Sequence, residues 1–93
     1  MSVRVLIPSA LRRYIEDKDT VEIEARTVEE LLDKLVSQHD ELRRQMLTED
    51  GGLRGFINIY VNDQDIRYLD KYQTRLKSGD VVTIVPAIAG GVA

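Results

Sequence analysis

The chain has 93 residues, a 43% apolar and 31% charged composition, a net charge of −3 and no cysteine. That length supports one core and no second one, and the composition is that of a globular domain rather than a disordered chain. Without Cys there is no disulfide, thiolate metal site or cysteine nucleophile, and the mild acidity argues against nucleic acid, which selects clustered Lys and Arg.

Val3-Arg4-Val5-Leu6-Ile7 is rich in β-branched residues and stops at Pro8, which predicts a first strand. Ser9 to Lys18 is polar, with apolar points at Leu11, Tyr14 and Ile15, and reads as a turn or short irregular segment. Thr20 to Ala25 alternates with period two and predicts a half-buried strand with Val21, Ile23 and Ala25 inward. Thr27 with Glu30 three residues later forms a capping-box pattern. Val28, Leu31, Leu32, Leu35 and Val36 then fall on one stripe of a helix running to about Gln38.

Leu42, Met46 and Leu47 allow one or two further helical turns, and Asp50-Gly51-Gly52 with Gly55 marks a flexible loop. Phe56 to Val61 is the clearest strand, Asn62-Asp63 a turn, and Ile66-Arg67-Tyr68 a short strand after it. Lys77-Ser78-Gly79-Asp80 reads as a turn, and Val81 to Val85 as a last strand ended by Pro86. The order β-β-α-β-(β)-β predicts an α+β fold of the β-grasp, ubiquitin-like type. Its mixed sheet would have four to five strands and carry one main helix on one face, with the last strand in the middle, parallel to the first. Residues 1–86 then form the domain and residues 87–93 a flexible tail.

Few residues offer chemistry. His39 is the single histidine and stands without companions, so it reads as a helix-end residue rather than a base or metal ligand. Asn62-Asp63-Gln64-Asp65 resembles the start of a calcium loop but lacks the Gly and the closing Glu. No assembled catalytic site, metal site or resident cofactor is expected. The tail remains: Ala87-Ile88-Ala89-Gly90-Gly91 follows the last strand directly. Paired glycines let another protein close around the backbone and reach its carbonyl. Were Gly91 terminal, its carboxylate would be ionised at neutral pH. It could then attack the α-phosphate of ATP on an activating enzyme, and a sulfur donor could convert the acyl adenylate to a thiocarboxylate.

Phe56-Ile-Asn-Ile-Tyr-Val-Asn-Asp-Gln-Asp-Ile-Arg67, the turn Lys77-Ser-Gly-Asp80 and the ending Val82-Thr-Ile-Val-Pro-Ala-Ile-Ala-Gly-Gly91 resemble the ThiS/MoaD sulfur carriers. Within that family the similarity is greatest to the CysO-type carriers of cysteine biosynthesis. The resemblance implies a carrier rather than an enzyme, with its thiocarboxylate on Gly91. It implies three partners: an E1-like adenylyltransferase, a cysteine synthase homologue dependent on pyridoxal phosphate, and a JAMM-type metalloprotease. The cofactors belong to those partners. Ala87, Ile88, Ala89 and Gly90 would occupy the partner's channel. The chain departs from the pattern in continuing with Val92-Ala93, whose peptide bond leaves Gly91 no carboxylate, so it is either a precursor from which both are removed, the favoured reading, or a non-carrier relative.

Other functions compatible with the residues are the small subunit of molybdopterin synthase, a ubiquitin-like protein modifier, and a β-grasp interaction module that never uses its tail. Phe56, Tyr60 and Tyr68 are candidates for an exposed aromatic partner surface; the other reading packs Phe56 and Tyr60 as core, opposite Ile57 and Ile59. Lys71, Arg75 and Lys77 offer cations to an acidic partner, although exposed charges contribute little singly. The N-terminus lacks a signal-peptide pattern and no apolar run approaches the roughly 20 residues of a spanning helix, so a cytoplasmic location without a membrane partner is expected.

Overall fold

The structure, a computed structural model, describes residues 2–86. Five strands form one mixed sheet: β1 (Val3–Leu6), β2 (Thr20–Ile23), β3 (Ile57–Val61), β4 (Gln64–Asp65) and β5 (Val81–Pro86), in the order β2-β1-β5-β3-β4. β5 lies in the centre, parallel to β1 and antiparallel to β3. This is the predicted β-grasp, ubiquitin-like arrangement, with the helices α1 (Val28–Ser37) and α2 (Asp40–Met46) placed between β2 and β3 in the chain.

The predicted apolar stripe explains α1. Val28, Leu31, Leu32, Leu35 and Val36 are all buried, and they join Val3, Val5, Ile59, Val82 and Ile84 in one core. The Thr27 hydroxyl accepts the Glu30 N–H at 3.2 Å. The Glu30 carboxylate accepts from the Arg26 N–H at 2.7 Å, one residue earlier than a reciprocal capping box would place it. A further orphan donor of the first turn, the Val28 N–H, reaches the Thr74 carbonyl at 3.1 Å. The segment before β5 is thereby pinned to the start of α1.

Four local readings change. Ser9–Tyr14 is a 3-10 helix rather than an irregular stretch, because it turns Leu11 into the core. The strand after the Asn62-Asp63 turn is Gln64–Asp65, while Ile66–Tyr68 is a 3-10 turn, capped by the Asp65 carboxylate accepting from the Arg67 N–H at 2.8 Å. Gly51 and Gly52 are not simply flexible. They close a tight turn in which the Thr48 N–H donates to the Gly52 carbonyl at 2.8 Å, and Gly51 takes a φ of +92° that favours glycine. Finally, β5 runs through Pro86 instead of ending at Val85.

The register explains why Pro86 is tolerated. The Asn62 N–H donates to the Val81 carbonyl. N–H directions alternate along a strand, so those of Asn58 and Tyr60 also point at β5, while that of Ile57 points away and donates to the Arg54 carbonyl at 2.9 Å. Pro86 lies opposite Ile57, where the ladder asks for no N–H.

Candidate functional site

The candidate site lies at the C-terminal end of β5. Val82 and Ile84 point into the core, Val81 and Thr83 are half-buried on the other face, and Val85 is exposed. The register places Tyr60 beside Thr83 and Asn58 beside Val85 on that outer face, with Leu6 on the far side of Thr83. The outer face is therefore a mixed polar and apolar surface leading along β5 to Pro86, the last described residue. Gly91, the segment Ala87 to Gly90, and Val92-Ala93 lie outside the described residues.

Two linked turns brace the opposite end of β5. Asn62 and Asp63 both have positive φ, 49° and 72°, as a two-residue hairpin turn between β3 and β4 requires. Asn62 Nδ2 donates to Asp80 Oδ1 at 2.9 Å, and Asn62 Oδ1 accepts from the Val81 N–H at 3.0 Å. Asp80 Oδ2 accepts from the Lys77 N–H at 2.8 Å, closing the turn in which Gly79 adopts a φ of +88°. The Asn-Asp cluster that resembled part of a calcium loop thus serves as turn and cap. Among the described residues no group of three His, Cys, Asp or Glu could hold a metal ion. His39 precedes α2 as its N-cap residue and makes no side-chain cap hydrogen bond.

The candidate aromatic surface is partly assembled. Phe56 is 44% and Tyr68 84% exposed, so Phe56 is not core. Tyr60 is half-buried on the outer face of β3. Phe56 stands just before β3 at the end near Pro86, whereas Tyr68 sits on the 3-10 turn beyond β4.

Sequence reasoning did not foresee the surroundings of Arg67. Its guanidinium grips the buried Asp65 carboxylate, with Nη2 to Oδ2 at 2.7 Å and Nε to Oδ2 at 3.1 Å. These bonds, and the Arg67 N–H, hold the Asp65 carboxyl below its ordinary pKa. Arg67, Arg54 and Lys71 all border a cleft of about 230 Å³ beside β3. Only Lys71 was among the cations singled out in the sequence. Arg67 ends the Phe56–Arg67 stretch and Arg54 lies outside it, and it is folding that brings both to one cleft.

A β-grasp domain with a central last strand defines a ubiquitin-like protein. A match to the ThiS family covers residues 5–91, and the chain belongs to that family. It is 34% identical to the sulfur carrier protein CysO of Mycobacterium tuberculosis over 93 residues, 98% of this chain and all of the relative. Among solved structures, the BexX/CysO complex of Amycolatopsis orientalis contains a chain of the same fold. That chain has a TM-score of 0.84 and 39% identity, over 96% of this chain and 99% of that one. The small archaeal modifier protein 1 of Methanosarcina acetivorans also superposes, with a TM-score of 0.84 and 27% identity over 97% and 96% of the two chains. No helix among the described residues is long and apolar enough to cross a membrane.

Proposed function

We propose that this chain is a sulfur carrier whose working group is the Gly91 carboxylate, exposed when the Gly91–Val92 peptide bond is hydrolysed, and that it delivers sulfur for cysteine biosynthesis. The observation that carries the reading is that the family match runs through Gly91 and stops before Val92-Ala93. The likeness to CysO over nearly the whole chain supports the cysteine branch.

The chemistry balances. A carboxylate oxygen of Gly91 attacks the α-phosphorus of ATP on an E1-like adenylyltransferase, and pyrophosphate leaves. A sulfur donor then attacks the acyl carbon and AMP leaves, giving the thiocarboxylate. A synthase dependent on pyridoxal phosphate accepts the sulfur, and a JAMM-type protease frees Gly91 from the cysteine adduct. The carrier contributes a presented acyl group and a docking surface, while ATP, pyridoxal phosphate and zinc are the partners' own. Ala87 to Gly90 thread the partner's channel, which the small Ala87, Ala89 and Gly90 suit while Ile88 offers one apolar contact. Phe56, Tyr60 and Tyr68 contribute aromatic contact area to docking.

The test is the intact mass of the protein from its own host. The expected species ends at Gly91 and is heavier than the free acid by the difference between sulfur and oxygen. The full chain, incubated with the adenylyltransferase and ATP, should give no adenylate, whereas the chain stopped at Gly91 should react. Equal reactivity of both forms would refute the trimming step. A second reading, attachment of Gly91 to protein lysines, is favoured by the likeness to the archaeal modifier, and a ladder of isopeptide conjugates would identify it.

A further inference from the structure

The cleft beside β3 is built for a partner of defined charge. β4 pairs only with Tyr60 and Val61, which leaves Ile57, Asn58 and Ile59 without a neighbouring strand on that side among the described residues. The cleft of about 230 Å³ lies along this uncovered stretch. Leu53 and Tyr72 give it accessible apolar lining over the buried Ile57, Ile59 and Ile66, and Arg54, Arg67 and Lys71 supply cations. One carboxylate, Asp65, faces these three, and it is already committed to Arg67. The cleft therefore carries a local positive surplus on a domain whose net charge is −3.

The three cations differ in their freedom. Arg67 is held by Asp65, and Arg54 Nε donates to the Arg44 carbonyl at 2.9 Å. Lys71 is exposed, with its ammonium unpaired among the described residues. Its backbone sits at a φ of +54°, a left-handed conformation that a lysine adopts at some energetic cost. The place of the cleft matters as much as its charge, because it is bordered by Ile57, the residue paired with Pro86. The cleft thus lies at the end of the sheet that holds Pro86, the last described residue.

We infer that the cleft receives an extended segment of the activating enzyme, one that places a carboxylate against Lys71 and Arg54 and an aliphatic side chain against Leu53 and Tyr72. This rests on the carrier reading above and names the surface that orients the carrier on its adenylyltransferase. The edge of β3 and the apolar floor suit an extended peptide, and the cations select an acidic one.

The experiment uses the chain ending at Gly91 with its E1-like adenylyltransferase and ATP, following AMP formation against carrier concentration. Lys71→Glu and Arg54→Glu/Lys71→Glu are compared with Arg13→Glu/Lys18→Glu. That control makes the same change in net charge as the double cleft variant, at exposed residues away from the cleft. Thermal melts establish that each variant folds, and Lys71→Glu breaks no hydrogen bond of the fold. The double cleft variant should raise KM roughly tenfold with kcat nearly unchanged, Lys71→Glu should raise it by less, and the difference should shrink at high salt. The control should leave KM near that of the parent. If the cleft variants match the parent, or if the control shifts KM as far as they do, the cleft is not the docking site although the carrier reading stands. If the parent chain itself forms no adenylate, the carrier reading falls and the assignment of this partner falls with it.

Discussion

The helix α1 and the crossover from Asn62 to Asp80 face the same core but hold their shape by different means. α1 buries five apolar side chains and uses one hydroxyl cap. The crossover buries Ile66 and Leu76, together with all three of the buried polar residues found among the described ones, Asp65, Thr74 and Asp80. Each of these accepts a backbone N–H of the crossover. Asp65 caps a 3-10 turn, the Thr74 hydroxyl accepts from the Asp70 N–H, and Asp80 ties Asn62 to Lys77. An apolar stripe tolerates exchange of one hydrocarbon for another of similar volume. A buried carboxylate with two specified donors does not, because each lost partner leaves a polar group unsatisfied.

The largest expected effect breaks the apolar side of this contrast. Leu31 is fully buried, so Leu31→Ala should cost about 2–5 kcal/mol in denaturant unfolding, while Leu31→Met should cost less than about 1.5 kcal/mol. Next comes the polar side. Asp80→Ala should cost about 1–3 kcal/mol by stranding the Lys77 N–H and the Asn62 amide, a loss comparable with that of a core methyl group or two although no core packing is touched.

The smallest effect sharpens the contrast through pH. The folded state holds the Asp65 carboxyl below its ordinary value of 3.8, chiefly through the Arg67 guanidinium. A lowered native pKa adds stability at pH above the ordinary value, and that increment is lost as pH falls through 3.8 towards the native value. Melting temperatures of the parent and Asp65→Asn should therefore differ by a constant margin near neutrality and converge in acid. The Leu31→Ala margin should carry no such Asp65-dependent step.

This contrast also explains what the sequence made legible. The stripe from Val28 to Val36 and the Thr27–Glu30 pair announced α1, because helical period and capping are local. Alternation announced β2, apolar β-branched runs bounded by turn or proline residues announced β1, β3 and β5, and placing β5 beside β1 completed the β-grasp. Ile66-Arg67-Tyr68 read as a strand by side-chain type, yet a single side-chain cap from Asp65 turned it into a 3-10 turn. Ser9–Tyr14 carried too few apolar residues to show a period. The cationic cleft was illegible because Arg54, Arg67 and Lys71 are separated in the chain and meet only through the β3–β4 hairpin and the 3-10 turns that follow it. Gly91 was singled out for the opposite reason, since its proposed role depends on main-chain chemistry and needs no folded neighbours.

The position of β5 has a mechanical consequence. A load pulled on the backbone beyond Pro86, along the strand, meets β1 on one side and β3 on the other. Both ladders would have to shear together before the domain yielded, rather than unzip one bond at a time. A pull on that end of β5 is thus shared between a parallel and an antiparallel ladder at once.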